Sequence, residues 1–295
     1  MEKYRLLRER LWLLVTTVPT DEKAEFLVAD FCVPPEATFA ELCLAHAPDY
    51  IARVESGELS AAEQKLIGFP WTPAMVARSK RSSGATIAAC RTAMTEGVAA
   101  NLAGGTHHAF YDRGEGFCVF NDAAIAARAM QTAGLVAKVA IIDCDVHQGN
   151  GTAAILAGDD SIFTFSMHGA KNYPFRREYP SDLDIALADG TTDDEYLAAL
   201  EAGLVTIFEK ISPDLIIYLA GADPFEDDRL GRLKLSKAGL LARDEMVFAA
   251  CMENGMPSIP LAIVMAGGYA RTITDTVDIH VATIQRANQF FNSDD

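Results

Sequence analysis

Apolar residues in this chain fall into short runs rather than long ones. Val139–Asp143, Ile162–Ser166, Leu215–Ala220 and Ala262–Met265 are each bounded by polar or Gly-rich sequence, the pattern of strands buried on both faces of a parallel sheet. Between them, apolar positions recur at helical spacing. The clearest case runs from about Asp193 to Lys210, where Leu197, Leu200, Leu204, Ile207 and Phe208 share a stripe and Thr192 with Glu195 can form a capping box. The N-terminal MEKYRLLRERLW is also helix-periodic, and Gly68-Phe-Pro-Trp-Thr-Pro73 reads as a rigid loop between helical stretches. Alternating strands and helices predict an α/β fold: a three-layer, doubly wound, mostly parallel sheet with helices on both faces. No repeat, low-complexity tract or Gly/Ser linker interrupts residues 1–295, so one domain is expected.

Half of the 295 residues are hydrophobic, enough for a large core. The apolar runs are far shorter than the roughly 20 residues that span a bilayer, and the charged N-terminus lacks the apolar region of a secretory signal. The expectation is a soluble intracellular protein, cytoplasmic, or nuclear if the source is eukaryotic. A formal net charge of −16 argues against direct nucleic-acid binding and favours encounter with cationic substrates such as exposed lysines, although an acidic surface also serves solubility. The six cysteines, Cys32, Cys43, Cys90, Cys118, Cys144 and Cys251, show no C-x-x-C spacing and are expected to be buried free thiols.

Ligands of a doubly wound sheet sit beyond the carboxyl ends of its strands, and three apolar runs end in reactive chemistry. Val139–Ile142 leads into Asp143-Cys-Asp145-Val-His147, Leu215–Ala220 into Gly221-Ala-Asp223, and Leu261–Met265 into Ala266-Gly-Gly-Tyr269. A D-x-H pair alone is common in caps and on surfaces. With Asp223 on a neighbouring strand, however, Asp145 and His147 complete the three ligands that a catalytic zinc needs, leaving a position open for water. The spacing of two predicts both side chains on one side of an extended strand end. His107 and His108 titrate where proton transfer is useful, and Asp143 and Asn150 are available to orient one imidazole each, the carboxylate favouring the charged ring. A turn such as Gly267-Gly268-Tyr269 often carries only packing, yet its glycines also allow close approach to a ligand while the phenol stabilises an oxyanion.

Read in order, Gly104-Gly-Thr-His-His108, Gly114-Glu-Gly-Phe-Cys118, Asn121-Asp122, Asp143-Cys-Asp-Val-His-Gln-Gly-Asn-Gly-Thr152, Ala220-Gly-Ala-Asp223, Asp228-Arg-Leu-Gly231 and Gly267-Gly-Tyr269 resemble the zinc-dependent histone deacetylases and their bacterial relatives. These share an arginase-like fold, and the resemblance spans nearly the whole chain. Gln148-Gly-Asn150 and Gly190-Thr-Thr-Asp-Asp-Glu-Tyr196 look like the class IV branch. The resemblance implies one zinc ion on Asp145, His147 and Asp223, with Tyr269 as oxyanion donor and His108 as general base and acid. His107, coupled to Asp143, becomes the electrostatic partner. Gly116, Phe117 and Leu230 would line a tunnel for the acyl-lysine chain, with Tyr173 as its opposite wall. A structural K+ would take Asp143, Asp145, His147, Ser166 and Met167, several through backbone carbonyls. The implied reaction is hydrolysis of N6-acetyl-lysine, or a longer N6-acyl-lysine, in a protein or peptide.

Two departures from the family pattern stand out. Relatives begin with a strand ahead of the segment equivalent to Met1-Glu-Lys-Tyr-Arg5, which this chain is expected to lack. Phe69-Pro-Trp71 stands where some deacetylases hold the substrate backbone with a carboxylate, so peptide recognition should be looser or different. Three rivals follow. A two-metal ureohydrolase needs further carboxylates, but Gly149 and Phe225 occupy the positions two after His147 and Asp223. An amidohydrolase acting on a small acylated amine, such as an acetylpolyamine, differs only in the amine released. A non-catalytic acyl-lysine binding module should have lost a ligand, the His pair or the Tyr, and all are retained.

Overall fold

A computed structural model describes residues 2–16, 29–175, 179–253, 256–257 and 259–292. Among the described residues, five helices precede the first strand: α1 (Glu2–Thr16), α2 (Phe39–Leu42), α3 (Pro48–Ser56), α4 (Ala61–Ile67) and α5 (Pro73–Glu96), then β1 (Val98–Asn101). There follow α6 (Asp122–Thr132), β2 (Val139–Asp143), α7 (Asn150–Leu156), β3 (Ile162–Gly169), β4 (Leu183–Leu187), α8 (Asp193–Lys210) and β5 (Leu215–Leu219). The chain continues with α9 (Lys237–Ala250), the two-residue strands β6 (Met252–Glu253) and β7 (Met256–Pro257), β8 (Leu261–Val264) and α10 (Ile273–Asn292). Six strands form one sheet in the order β1-β8-β5-β2-β3-β4, with every pairing parallel. β6 and β7 pair only with each other.

The sheet is buried on both sides because its strands alternate between two cores. Ala140, Ile142, Phe165, Met167, Ile216, Tyr218, Leu261 and Ile263 pack with Leu7 and Leu11 of α1 and with apolar residues of α8, α9 and α10. Val139, Ile141, Ile162, Leu215, Ile217, Leu219, Ala262 and Val264 pack with α3, α5, α6 and α7. Each such Leu, Ile or Val contributes about 1.5–3 kcal/mol when fully buried. The three-layer α/β arrangement is thus the one that the hydrophobic pattern predicts.

The expected helix Asp193–Lys210 is α8, with the Thr192–Glu195 capping box in place. The loop ahead of Pro73 ends at Thr72, whose side chain accepts the Met75 amide and starts α5. All four expected strands are present, β3 running on to Gly169 and β8 spanning Leu261–Val264. β1 and β4 lie at the two edges, where burial is partial and the apolar signal is weak: VAAN and LDIAL. All six cysteines are free, and Cys90, Cys118, Cys144 and Cys251 are buried. Cys32 is exposed and Cys43 half-buried, contrary to expectation. Cys32 lies outside any helix or strand, so no packed face covers it.

A parallel sheet delivers all its carboxyl ends to one rim. Asp143, Leu219, Val264 and Asn101 end β2, β5, β8 and β1 there, and the four loops that follow carry the reactive residues.

Candidate active site

β2 stops at Asp143, and the chain bends at once. Asp145 and His147 therefore do not extend a strand, as their spacing predicts; they lie on a turn wound around carboxylates. Asp143 Oδ1 accepts the Asp145 amide at 3.0 Å, and Asp145 Oδ1 accepts the His147 amide at 2.9 Å. Asp223 Oδ1 accepts the Val146 amide at 2.9 Å, tying the turn after β5 to the turn after β2. The Gly267 amide donates to Asp145 Oδ2 at 2.7 Å, adding the loop after β8. Only glycine fits at 267, since a Cβ there would lie 1.9 Å from Asp223 Oδ2 and 2.5 Å from Asp145 Oδ2.

The result brings ligand atoms of Asp145, His147 and Asp223 within 4.8 Å of one another, the one such group among the described residues. His147 Nδ1 lies 3.0 Å from Asp145 Oδ1 and 3.4 Å from Asp223 Oδ2. Asp223 Oδ2 is buried without a hydrogen-bond donor. Burial and the neighbouring Asp145 charge push Asp223 up to about 6. Two crowded carboxylates, one with an orphaned oxygen, beside an imidazole form a donor set that a divalent cation would satisfy.

The His pair occupies the loop after β1 and is held by the start of α6. Asn121 caps that helix through Oδ1 and donates from Nδ2 to Ala109 O at 3.2 Å and Thr152 Oγ1 at 3.0 Å. Asp122 is fully buried and accepts four donors: the Gly105 and Thr106 amides (3.0 and 2.7 Å) and the Thr86 and Thr106 hydroxyls (2.6 and 2.5 Å). Asp122→Ala would orphan these donors, so it should destabilise the fold by at least about 3 kcal/mol. Urea unfolding checks this, and a loss below about 1 kcal/mol would mean the carboxylate is dispensable. His46 completes the support, accepting the Asn121 amide at Nε2 and donating from Nδ1 to Phe110 O, both at 2.8 Å.

The two imidazoles stand 4.1 Å apart, centroid to centroid, in different surroundings. His107 Nδ1 lies 2.6 Å from Asp143 Oδ2, and His108 Nδ1 lies 2.7 Å from Asn150 Oδ1. Burial disfavours the charged ring in both. At His107 the Asp143 and Asp145 carboxylates outweigh it, raising the pKa to about 9. At His108 burial is reinforced by the neighbouring His107 and His147, and the pKa falls well below its ordinary value. The pair thus divides into a cation and a neutral base.

Aromatic rings surround the entrance. The Tyr173 ring meets His108 edge-on at 4.8 Å, and Phe117 lies 6.2 Å from Tyr269 and 6.5 Å from Phe69, on which it stacks. Gly116 backs onto His108, leaving no room for a Cβ. Among the described residues, Phe117 and Ala266, both bordering the site, are the non-glycine residues at positive φ, 66° and 51°, the kind of local strain that collects at functional sites. Leu230 is half-exposed; Asn172 Nδ2 donates to its carbonyl at 2.6 Å, joining it to the Tyr173 loop. Asp143 and Ser166 are register partners on β2 and β3, with Met167 next along.

Several supports carry no signal that singled them out in the sequence. Asp228 accepts the Tyr269 amide at 2.5 Å and the Leu230 amide at 2.7 Å, so it anchors two site residues; its place in Asp228-Arg-Leu-Gly231 was the available cue. Lys3 Nζ donates to Ala266 O (3.1 Å) and Gly268 O (3.3 Å) and sits 5.1 Å from the Tyr269 ring centroid. The Tyr173 hydroxyl donates to Glu115, which bridges the walls that bear Tyr173 and Phe117. Phe69 reaches the entrance, whereas Trp71 turns inward and donates from Nε1 to Val54 O at 2.7 Å.

Comparison with known proteins decides the family: residues 6–284 match the histone deacetylase domain family. The chain belongs to the histone deacetylase family. It is 33% identical over 273 residues to Histone deacetylase 2 of Arabidopsis thaliana, covering 86% of this chain and 70% of that protein. It is 42% identical over 261 residues to an uncharacterized protein of Picosynechococcus sp., covering 86% of each. Its fold matches the crystal structure of a histone deacetylase homologue complexed with SAHA, with a TM-score of 0.78 at 23% identity, covering 97% of this chain and 77% of that one. This histone deacetylase-family amidohydrolase shares the arginase-like α/β fold of those structures. No helix among the described residues is long and apolar enough to cross a membrane.

Proposed function

We propose that this deacetylase-family protein hydrolyses the amide of N6-acyl-lysine side chains with one zinc ion held by Asp145, His147 and Asp223. The observation that carries the reading is the convergence of those three groups beside one charged and one neutral histidine. Their donor set fits zinc: two carboxylates and one imidazole, with a buried carboxylate oxygen still without a partner. Bound there, zinc would polarise the acyl carbonyl and acidify a water.

The chain's own groups do the rest. With Nδ1 of His108 engaged by Asn150, Nε2 is the atom that takes the proton of the attacking water. Tyr269 donates its phenol hydrogen to the oxyanion, and the loop glycines let it approach. His107, held positive by Asp143, favours the anionic tetrahedral species over the neutral amide. A protonated imidazole then delivers its proton to the departing amine, giving a carboxylate and free lysine. Phe69, Phe117, Tyr173 and Leu230 supply an apolar entrance suited to a lysine's methylene stem.

A structural K+ is assigned in the same reading to Asp143, Asp145, His147, Ser166 and Met167. Membership of class IV rests on Gln148-Gly149-Asn150 and on Gly190–Tyr196. A small acylated amine, such as an acetylpolyamine, is the second substrate reading, since the same metal ligands, histidines and tyrosine would serve either amine.

The deciding assay is turnover of lysine peptides bearing acetyl, butyryl or myristoyl groups, alongside an acetylated polyamine, before and after metal stripping. We expect release from peptides that a chelator abolishes and added Zn2+ restores. Turnover that survives complete stripping overturns the zinc assignment. Turnover of the polyamine alone selects the second reading, and silence from folded, zinc-loaded protein that still binds acyl-lysine leaves the binding module.

A further inference from the structure

Behind the metal-ligand turns lies a cation that the proposed chemistry leaves unused. Arg243 is fully buried on the inner stripe of α9, between Leu240 and Val247. Its Nη1 donates to Gly221 O at 2.6 Å and more weakly to Cys144 O at 3.4 Å. Cys144 immediately precedes Asp145, and Gly221 stands two residues before Asp223, so one guanidinium nitrogen touches both turns that bear ligands. The turns also press on each other: a Cβ on Gly221 would lie 2.8 Å from Asp145 Cα and 2.9 Å from Asp223 Oδ1.

The guanidinium is itself fixed from the other side. Nε and Nη2 donate to Asp244 Oδ1 at 3.0 and 2.8 Å. Asp244 also accepts the Tyr218 hydroxyl on Oδ1 and the Thr283 hydroxyl on Oδ2, both at 2.6 Å. Strand β5, helix α9 and helix α10 therefore bracket one planar group. Removing both charges from water is costly, and apolar residues of similar volume often serve stability as well or better. Since Asp244 neutralises Arg243, the pair adds no net charge behind the site. What it adds is direction: a rigid fork joined to the carbonyls at the ends of β2 and β5.

We propose that Arg243 is a positioning residue for the metal centre, fixing the separation of the Asp145 and Asp223 turns so that their carboxylates are preorganised for the ion. This rests on the reading that Asp145, His147 and Asp223 bind zinc. Outer groups that orient ligands typically account for roughly 10–100-fold in metal affinity.

The test titrates Zn2+ into metal-free full-length protein against a competing chromophoric chelator, with unfolding midpoints measured on the same metal-free samples. R243K keeps the charge and loses the fork, and it should bind zinc roughly 10–100-fold more weakly. T283V removes a bond to Asp244 on the side away from the metal turns, and it should lower the unfolding midpoint while leaving zinc affinity unchanged. If R243K does not fold, D244N takes its place: the donors to both carbonyls remain but their bracket slackens, and zinc affinity should weaken measurably. Wild-type affinity in R243K, or in D244N where that replaces it, overturns the inference. So does an affinity that falls in T283V in step with stability, which would make the cluster merely structural. Wild-type protein that takes up no zinc overturns the hydrolase reading itself, a result distinct from either of these.

Discussion

His108→Ala should lower kcat by roughly 10²–10⁴-fold, the usual contribution of a positioned general base or acid, with little change in KM. The prediction follows from two features that act together. Asn150 engages Nδ1, which fixes the ring and leaves Nε2 as the atom that faces the reaction. Burial, with the positive His107 beside it, holds the pKa well below its ordinary value, so the ring is a base without first losing a proton. Steady-state kinetics on the zinc-loaded protein, with thermal unfolding as a check on folding, decides the matter. A kcat within about threefold of wild type would remove His108 from proton transfer, since such a loss is far below what a general base contributes.

Tyr269→Phe should cost roughly 10²–10³-fold in kcat, as loss of a single oxyanion donor does. The ring itself is well supported: Asp228 holds its amide, Arg229 donates from Nε to its carbonyl at 3.0 Å, and Phe117 lies beside it. Removing the hydroxyl should therefore leave the ring in place and subtract only the donor. The loss should appear in kcat and in kcat/KM alike, the mark of an interaction made in the transition state. A variant that loses only KM would show that the phenol binds substrate and does not stabilise the oxyanion.

Much of this architecture is legible in the sequence, for identifiable reasons. β2, β5 and β8 are buried on both faces, and such burial demands apolar side chains at successive positions, which marks these strands as continuous runs; β3 is as buried but carries Thr164 and Ser166 between its apolar residues. Helix α8 announces itself through its capping box and stripe. The reactive loops follow from one rule, that parallel strands share a carboxyl rim. What escapes the sequence depends on groups far apart in the chain. The turn of Asp145 around Asp143 and Asp223 is set by amides and carboxylates that three loops bring together, so the spacing of two misleads when read as a strand. Edge strands β1 and β4 are only half-covered, and their pattern fades accordingly. Arg243 and Asp244 left a faint trace: opposite charges on the apolar stripe of a helix, where a solvated pair has no place.

The strand order carries a consequence for how the chain is made. β1 pairs with β8 and with no other strand among those described, so a nascent chain emerging from the ribosome presents Val98–Asn101 long before its partner exists. β2, β3, β4 and β5 can join as they appear, but β1 must wait for Leu261–Val264. Non-local parallel pairing of this kind is slow and leaves apolar surface open meanwhile. Tyr269 follows β8 by only a few residues. The last strand to be inserted therefore completes the site: until it docks, the tyrosine and the Gly267 amide are missing from the metal-ligand turns, and a half-folded chain has no assembled site with which to act.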